Sequence, residues 1–283
     1  MTASSYTIRT MTRPEMDIAI SWAAAEGWNP GRQDATCFYN ADPTGFWIGL
    51  VGDEPIATIS AVAYGESFGF IGFYIVKPEY RGQGYGWQIW QAGLASLGSR
   101  TIGLDGVVAQ QENYRKSGFT LAYQNARYQG VGGGKAALDS ELVLLSSLPF
   151  EQVCAYDAPF FPGPRAAFLR CWIHQPQSMA LGLVKNGDLV GYGVIRPCRS
   201  GAKVGPLFAD SPDIADRLFV ALRSHAPAIA PVFLDIPTVN PAAAALVERY
   251  GMVKGFETAR MYIGPPPRLP MDRLFGVTSF ELG

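Results

Sequence analysis

Residues 81–86 read Arg-Gly-Gln-Gly-Tyr-Gly and stand between a β-rich segment ending at Val76 and an amphipathic stretch from Tyr85 to Leu97. That order has a chemical use. Backbone N–H groups at the start of a helix point outward without partners, and glycines let an anion such as a diphosphate approach the main chain. A dinucleotide fold would put this turn after the first strand of a parallel sheet, with an acidic residue about 20 positions on. Here it follows a late strand of an antiparallel meander, so a nicotinamide site is set aside. A second glycine run, Gly132-Gly133-Gly134, lacks P-loop spacing, and its Lys135 is followed by Ala136 rather than Ser or Thr. It reads as a flexible linker.

The elements that must position the first turn are legible from periodicity. Tyr6 to Met11 alternates like a strand, and Arg13 to Trp28 reads as a helix capped by Thr12, with Pro14 in its first turn. Phe46 to Val51, Pro55 to Tyr64 and Phe68 to Val76 are rich in β-branched and aromatic residues, and Gly52-Asp53 is a hairpin turn between the first two. In the Tyr85–Leu97 helix, Ile89, Trp90, Gly93, Leu94 and Leu97 share a face. A short strand near Thr101 to Asp105, a helix over Gln110 to Lys116 and a strand over Phe119 to Tyr128 follow.

The chain then begins again. Ser117-Gly118-Phe119 with Ala126-Arg127 corresponds to Tyr250-Gly251-Met252 with Ala259-Arg260, each 133 residues later, and Gly72 to Val76 falls on Gly205 to Ala209 at the same offset. Leu104-Asp105 and Leu234-Asp235 match three residues out of step. The length of 283 residues suits two domains of one fold. The expected division is residues 1–130, a linker over 131–137, and 138–283. The fold class is α/β (α+β), each domain a mixed, mostly antiparallel sheet flanked by helices.

Val76-Lys77-Pro78-Glu79-Tyr80 followed by Arg81, Gly84 and Gly86 resembles the signature of the GNAT acetyltransferases, Arg/Gln-x-x-Gly-x-Gly/Ala. The resemblance implies acetyl-CoA as co-substrate, with Tyr74, Ile75 and Val76 pairing through their backbone with the pantetheine arm. It implies too that the amides of Gly82, Gln83, Gly84, Tyr85, Gly86 and Trp87 hold the pyrophosphate. Tyr114-Arg115-Lys116-Ser117-Gly118-Phe119 is similar to the end of the family's Asn-x-x-Ala-x-x-Leu-Tyr-x-Lys-x-Gly-Phe helix, which makes Tyr114 the acid that protonates the departing thiolate. The first part of that element is missing here, its places falling on Val107, Gln110 and Asn113. It stands in the second half, as Asn240 to Leu246, where Val247 takes the tyrosine position. The second half also has Ala209-Asp210-Ser211-Pro212-Asp213 in place of a glycine turn, and resembles the C-terminal domain of YitH-like tandem acetyltransferases. The chemistry is expected in the first half. For a base, the strand over 68–76 offers no carboxylate; Asp105 is the best-placed acid, with Glu66 and Glu112 behind it.

The expected reaction is acetyl transfer to a primary amine of a small molecule or peptide, with a non-catalytic acyl-CoA-binding module as the competing reading. Trp28, Phe38, Tyr39, Phe160, Phe161 and Trp172 are candidate walls of an acceptor cleft, though isolated aromatics are more often core. A net charge of −1 with scattered basic residues offers no footprint for nucleic acid. Neither a secretory leader nor a membrane-spanning run is read, so a cytoplasmic protein is expected, and a homodimer is left open. Cys37, Cys154, Cys171 and Cys198 have no short paired spacing and are expected to be reduced core residues. His174 and His225 have no ligand partner nearby in sequence, so no metal is expected.

Overall fold

The structure is a computed structural model that describes residues 5–134 and 139–283. The first half starts with β1 (Tyr6–Thr10), α1 (Met16–Ala25) and α2 (Asp34–Ala41), then the meander β2 (Phe46–Val51), β3 (Glu54–Tyr64) and β4 (Phe68–Val76). It continues through α3 (Tyr85–Leu97), β5 (Thr101–Val107), α4 (Gln111–Lys116) and β6 (Thr120–Val131). The second half opens with β7 (Leu142–Leu144), α5 (Phe150–Asp157) and α6 (Ala166–Trp172), and its meander is β8 (Met179–Lys185), β9 (Asp188–Pro197) and β10 (Ala202–Ala209). It ends with α7 (Pro212–Arg223), β11 (Pro231–Pro237), α8 (Pro241–Arg249), β12 (Val253–Ile263) and β13 (Leu274–Gly276).

The first helix begins later than expected. The Glu15 carboxylate accepts hydrogen bonds from the Thr12 N–H and hydroxyl and from Arg9, which folds residues 12–15 into a turn that contains Pro14. Regular helix then starts at Met16.

All strands join one sheet in the order β1-β2-β3-β4-β5-β12-β6-β11-β10-β9-β8-β7, with β13 added beside β10. Its centre is an exchange. β12, from the second half, lies between β5 and β6, and β6, from the first half, lies between β12 and β11. Both exchanged strands are antiparallel to their neighbours, whereas β4–β5 and β10–β11 are the parallel pairs. The halves are therefore tandem copies of one α/β fold, each mostly antiparallel and helix-flanked, fused edge to edge.

The exchange is secured by two buried ion pairs related by the repeat. Asp105 on β5 takes Arg260 on β12, with Nε–Oδ1 2.9 Å and Nη2–Oδ2 2.6 Å. Asp235 on β11 takes Arg127 on β6, with Nε–Oδ1 2.7 Å and Nη2–Oδ2 2.6 Å. The two aspartates and two arginines are among the anchors that reveal the repeat in the sequence. Burial alone would raise the Asp235 carboxyl, but the Arg127 charge beside it holds it below its ordinary value.

The helices α2 and α6 are repeat mates and pack on each other, with Phe38 stacked on Trp172 at 5.8 Å between ring centroids. This contact corrects one expectation. Cys37 and Cys171 form a disulfide, with Cα atoms 5.2 Å apart, while Cys154 and Cys198 are free thiols. The bond joins residues 134 apart because the helices that carry them meet where the halves face each other, a proximity that short-spacing rules cannot show.

The expected flexible linker is in part built into the fold. Val131 closes β6, the Gly132 N–H donates to the Ala230 carbonyl and the Gly133 N–H to the Arg223 carbonyl. Residues 135–137 of that linker lie outside the described residues.

Candidate active site

The parallel ladder between β4 and β5 ends at the pair Ile71 and Leu104. Beyond it β4 runs on to Val76 paired only with β3, and β5 runs on to Val107 paired only with β12, so their facing edges part. A bulge sharpens the divergence: between the pairs Ser60–Gly72 and Thr58–Ile75, Phe73 and Tyr74 stand opposite Ile59 alone. Phe73 takes a positive φ of 47°, a strained choice for a side chain of that size. The Thr58 hydroxyl holds it by donating to the Phe73 carbonyl at 2.9 Å, and its ring packs against Phe38 at 5.7 Å.

The glycine turn closes the wide end of this gap. Gly82 and Gly84 have φ of 76° and 87°, and the space where a Cβ would stand is open at both. Gly84 is the N-cap of α3 and supplies no side chain to its first-turn N–H groups. The approach is braced by Glu54, which accepts from Lys77 Nζ at 2.7 Å and from the Tyr80 hydroxyl at 2.8 Å. Arg81 donates to the Val76 carbonyl and pairs with Glu26. Trp87 is 57% exposed beside the turn.

Gap and turn open into one cavity of about 600 Å³. Of the residues expected at the cofactor, Tyr74, Ile75, Val76, Arg81, Gly82, Gly84, Gly86 and Trp87 line it. Gln83 and Tyr85 do not: the Gln83 amide donates to the Glu79 carbonyl, and Tyr85 packs against Tyr6 at 4.8 Å. Tyr114 lines it, stacked on Trp90 at 5.7 Å and seated over Gly106, where any Cβ would overlap its ring. Burial, with Tyr74 next, pushes its phenol up to about 12, which keeps it protonated.

Asp105 also reaches the cavity wall, but as a base it is poorly placed. Oδ1 accepts from Arg260 and from Asn125 Nδ2 at 2.8 Å, Oδ2 accepts from Arg260, and the side chain is fully buried. A carboxylate committed to a buried guanidinium would have to give up that pair to collect a proton. Glu66 and Glu112 are both exposed and away from the cavity, and Glu112 is paired with Arg115. Of the six candidate acceptor aromatics, Trp28 lines the cavity; Phe38, Phe160, Phe161 and Trp172 are core, and Tyr39 packs on Phe46. The far wall comes from residues that the sequence reading missed, Phe256, Thr258, Phe280 and Glu281, all from the second half. Phe256 had one signal, its place 133 residues after Tyr123.

The corresponding gap in the second half is filled. β10 breaks its ladder between Val204 and Leu207, as β4 does, but β13 then pairs with Leu207 and Phe208, the positions matching Tyr74 and Ile75. Eight residues (77–84) separate β4 from α3, but only two (210–211) separate β10 from α7. The Ser211 hydroxyl caps α7 by accepting from the Ile214 N–H, and Asp210 is tied to Tyr156 and Arg273. The space flanked by Tyr123, Arg260 and Phe208 has shrunk to about 20 Å³. Asn240 caps α8 and donates to the Leu274 carbonyl, so the family-like asparagine holds the plug in place.

Splayed parallel strands with a bulge on the first of them occur twice in the sheet, and in the first half they lead to an uncapped helix behind a glycine turn, the framework of a GNAT acyltransferase. Comparisons agree. The acetyltransferase (GNAT) family model matches residues 10–119, and an acetyltransferase (GNAT) domain model matches residues 153–276. The chain is 30% identical to the holothin acyltransferase of Pseudoalteromonas sp. (strain SANK 73390), over 99% of this chain and 95% of that one. It is 26% identical to the uncharacterized N-acetyltransferase YitH of Bacillus subtilis, over 75% and 76% of the two chains. Among solved structures, a Pyrococcus horikoshii protein described as an acetyltransferase candidate superposes with a TM-score of 0.84 at 22% identity, covering 100% of this chain and 98% of that one. A tandem GNAT protein from the clavulanic acid biosynthesis pathway gives 0.64 at 14% identity, covering 93% and 100%. The chain belongs to the GNAT family, as a tandem acyltransferase whose co-substrate is an acyl-CoA. Among the described residues there is no cluster of metal-ligand side chains, and no helix is long and apolar enough to cross a membrane.

Proposed function

We propose that the chain transfers an acetyl group from acetyl-CoA to the primary amine of a small molecule, at one site, in the first half. The observation that carries this reading is the contrast between the two gaps, one open behind a glycine turn and one filled by β13. In the open gap the unpaired edge of β4 from Tyr74 to Val76 would take the pantetheine amides. N–H groups from Gly82 to Trp87 would hold the pyrophosphate, with Arg81 beside them. The acyl carbonyl would then lie near the bulge at Phe73 and Tyr74, where backbone N–H groups outside the regular ladder can steady the oxyanion. The neutral amine attacks, the C–N bond forms, the C–S bond breaks, and Tyr114 gives its proton to the thiolate. A cavity of about 600 Å³ with Trp28, Phe256 and Phe280 in its wall favours a compact acceptor over a peptide, and the name holothin acyltransferase points the same way. Calorimetry with acetyl-CoA is expected to give one site per chain, and amines added to the complex are expected to release free thiol. Two equivalent sites would overturn the placement, and binding without thiol release from any amine would leave a sensing module.

A further inference from the structure

Three carboxylate residues line the cavity: Glu26 is paired with Arg81 and Asp105 with Arg260, whereas Glu281 has no such pair among the described residues. Glu281 is 3% exposed and has a carboxylate oxygen, Oε2, that is buried without a hydrogen-bond partner among the described residues. Buried carboxylates are ordinarily paired, and one left without a donor in the wall of a cavity calls for a reason.

The segment that carries it is firmly held. The Val277 N–H donates to the Asp235 carbonyl at 2.8 Å, Arg165 donates to the Thr278 hydroxyl at 3.1 Å, and the Tyr64 hydroxyl donates to the Leu282 carbonyl at 3.2 Å. After filling the gap of the second half, the chain thus crosses to the gap of the first. There the Glu281 carbonyl lies so close to Gly72 that no side chain fits at that position. The crossing places Glu281 in the cavity wall next to the bulge on β4, together with Phe256, Thr258 and Phe280.

Three cations feel its charge: Arg127 on β6, Arg196 on β9 and Lys203 on β10. Arg127 is committed to Asp235 and Arg196 to Asp34 on α2. Lys203 reaches the Trp28 carbonyl at 3.5 Å, and burial, then Arg127, lowers its hold on a proton. Opposite charge therefore surrounds the carboxylate, while Oε2 has no donor of its own among the described residues.

We infer that Glu281 is the base of the first-half site, taking a proton from the ammonium group of the acceptor, and that the acceptor is a compact primary amine with an apolar body. The inference rests on acyl transfer as proposed above. Its balance is simple. One ammonium proton passes to Glu281 and on to solvent, and the freed nitrogen pair forms the C–N bond. A second nitrogen proton replaces the one that Tyr114 gives to the thiolate as the C–S bond breaks. Amide, free thiol and one released proton account for all atoms.

The test uses the full chain, acetyl-CoA and 2-phenylethylamine as probe, with Glu281→Gln and Glu281→Asp compared with wild type. For Glu281→Gln, kcat for thiol release is expected to fall by about 10²–10⁴-fold while acetyl-CoA affinity by calorimetry is unchanged. Its residual rate should rise about tenfold per pH unit between about pH 7 and 9, as the amine loses its proton in solution instead. Glu281→Asp keeps the charge but withdraws it by one methylene, and should lower kcat without moving the melting temperature. Wild-type kcat in either variant overturns the inference, as does a Gln variant that merely melts earlier, which would make Glu281 a counter-ion. Wild type that binds acetyl-CoA but releases no thiol with the probe also overturns it. Failure to bind acetyl-CoA would instead sink the proposed function, and this inference with it.

Discussion

At the scale of single residues, Asp105 and Tyr114 show how a side chain's partners decide its work. Both were picked out by sequence as chemical, and both reach the cavity, but only Tyr114 keeps its polar atom uncommitted there. Tyr114→Phe keeps the ring on Trp90 and removes the only proton it can give, so kcat should fall by at least about tenfold with little change in acetyl-CoA affinity. Steady-state kinetics check this, and full activity would take Tyr114 out of the mechanism. Its pKa also has a stability consequence. The folded value of about 12 exceeds the ordinary 10, so the preference for the neutral phenol is fully present below pH 10 and is lost as pH rises through about 12. Between those values the wild type should lose stability faster than the Phe variant, as read from melting curves. For Asp105 the expectation is structural: Asp105→Asn leaves Arg260 buried without its counter-charge and should cost about 3–5 kcal/mol. Asp235→Asn, its mate in the repeat, should cost about as much by chemical denaturation. A much larger loss of turnover in the first than in the second, at equal stability, would restore Asp105 to the chemistry. Sequence picked out the Asp and Arg of each pair as repeat anchors. It could not say which Arg meets which Asp, because the two strands carry the same Ala-Arg and either would fit.

At the scale of elements, the two halves differ through a turn, a cap and a short strand. The glycine turn was legible because its conformation demands its composition: Gly82 and Gly84 sit at positive φ, and a Cβ at Gly86 would stand 2.7 Å from the Tyr74 hydroxyl. Its loss in the second half was legible for the same reason. The role of β13 was not, since Leu274-Phe275-Gly276 is too short to carry a periodic signal, and its partner is set by the break in β10 rather than by its own residues. The turn yields a direct prediction. Gly84→Glu puts a side chain on a residue with φ of 87° and an anion where the pyrophosphate should approach. The neighbouring space is open, so the protein should still fold while acetyl-CoA affinity falls by at least about tenfold in calorimetry. Unchanged affinity would mean that the diphosphate binds elsewhere. The tail yields another. A Cβ at Gly72 would overlap the Glu281 carbonyl, so Gly72→Ala should displace the C-terminal segment, detected as protease cleavage within residues 277–283 that wild type resists.

At the scale of the whole molecule, the expected division into two domains meets a sheet that does not divide. The 133-residue repeat predicts the elements well: β2, β3 and β4 recur as β8, β9 and β10. What the repeat hides is that β6 and β12 have changed places, which a strand can do when its copy presents the same face and the same buried arginine. The Cys37–Cys171 bond and the stacked α2 and α6 tie the halves again on the helical side. A half on its own would then lack more than an interface. With β6 where it stands, residues 5–134 alone would expose the edge of β5 that β12 covers, leave β6 with neither β12 nor β11, and keep Asp105 and Arg127 apart, so the fragment would have to move β6 onto β5 and pair Arg127 with Asp105. The second half alone would suffer the same at β11, β12, Asp235 and Arg260. Each fragment should be less stable than the whole chain and melt earlier, by circular dichroism and near-ultraviolet signal. A chain cut within 135–138 should stay assembled and keep its acetyl-CoA site, because the exchange and not the linker holds it together. The intact chain, with its disulfide reduced as well as oxidised, should melt in one transition, though earlier when reduced because a loop this long gives up about 4–5 kcal/mol of closure entropy. An isolated first half that is as stable as the whole chain and binds acetyl-CoA would show that the exchanged strands are dispensable, and that the site belongs to a domain rather than to the pair.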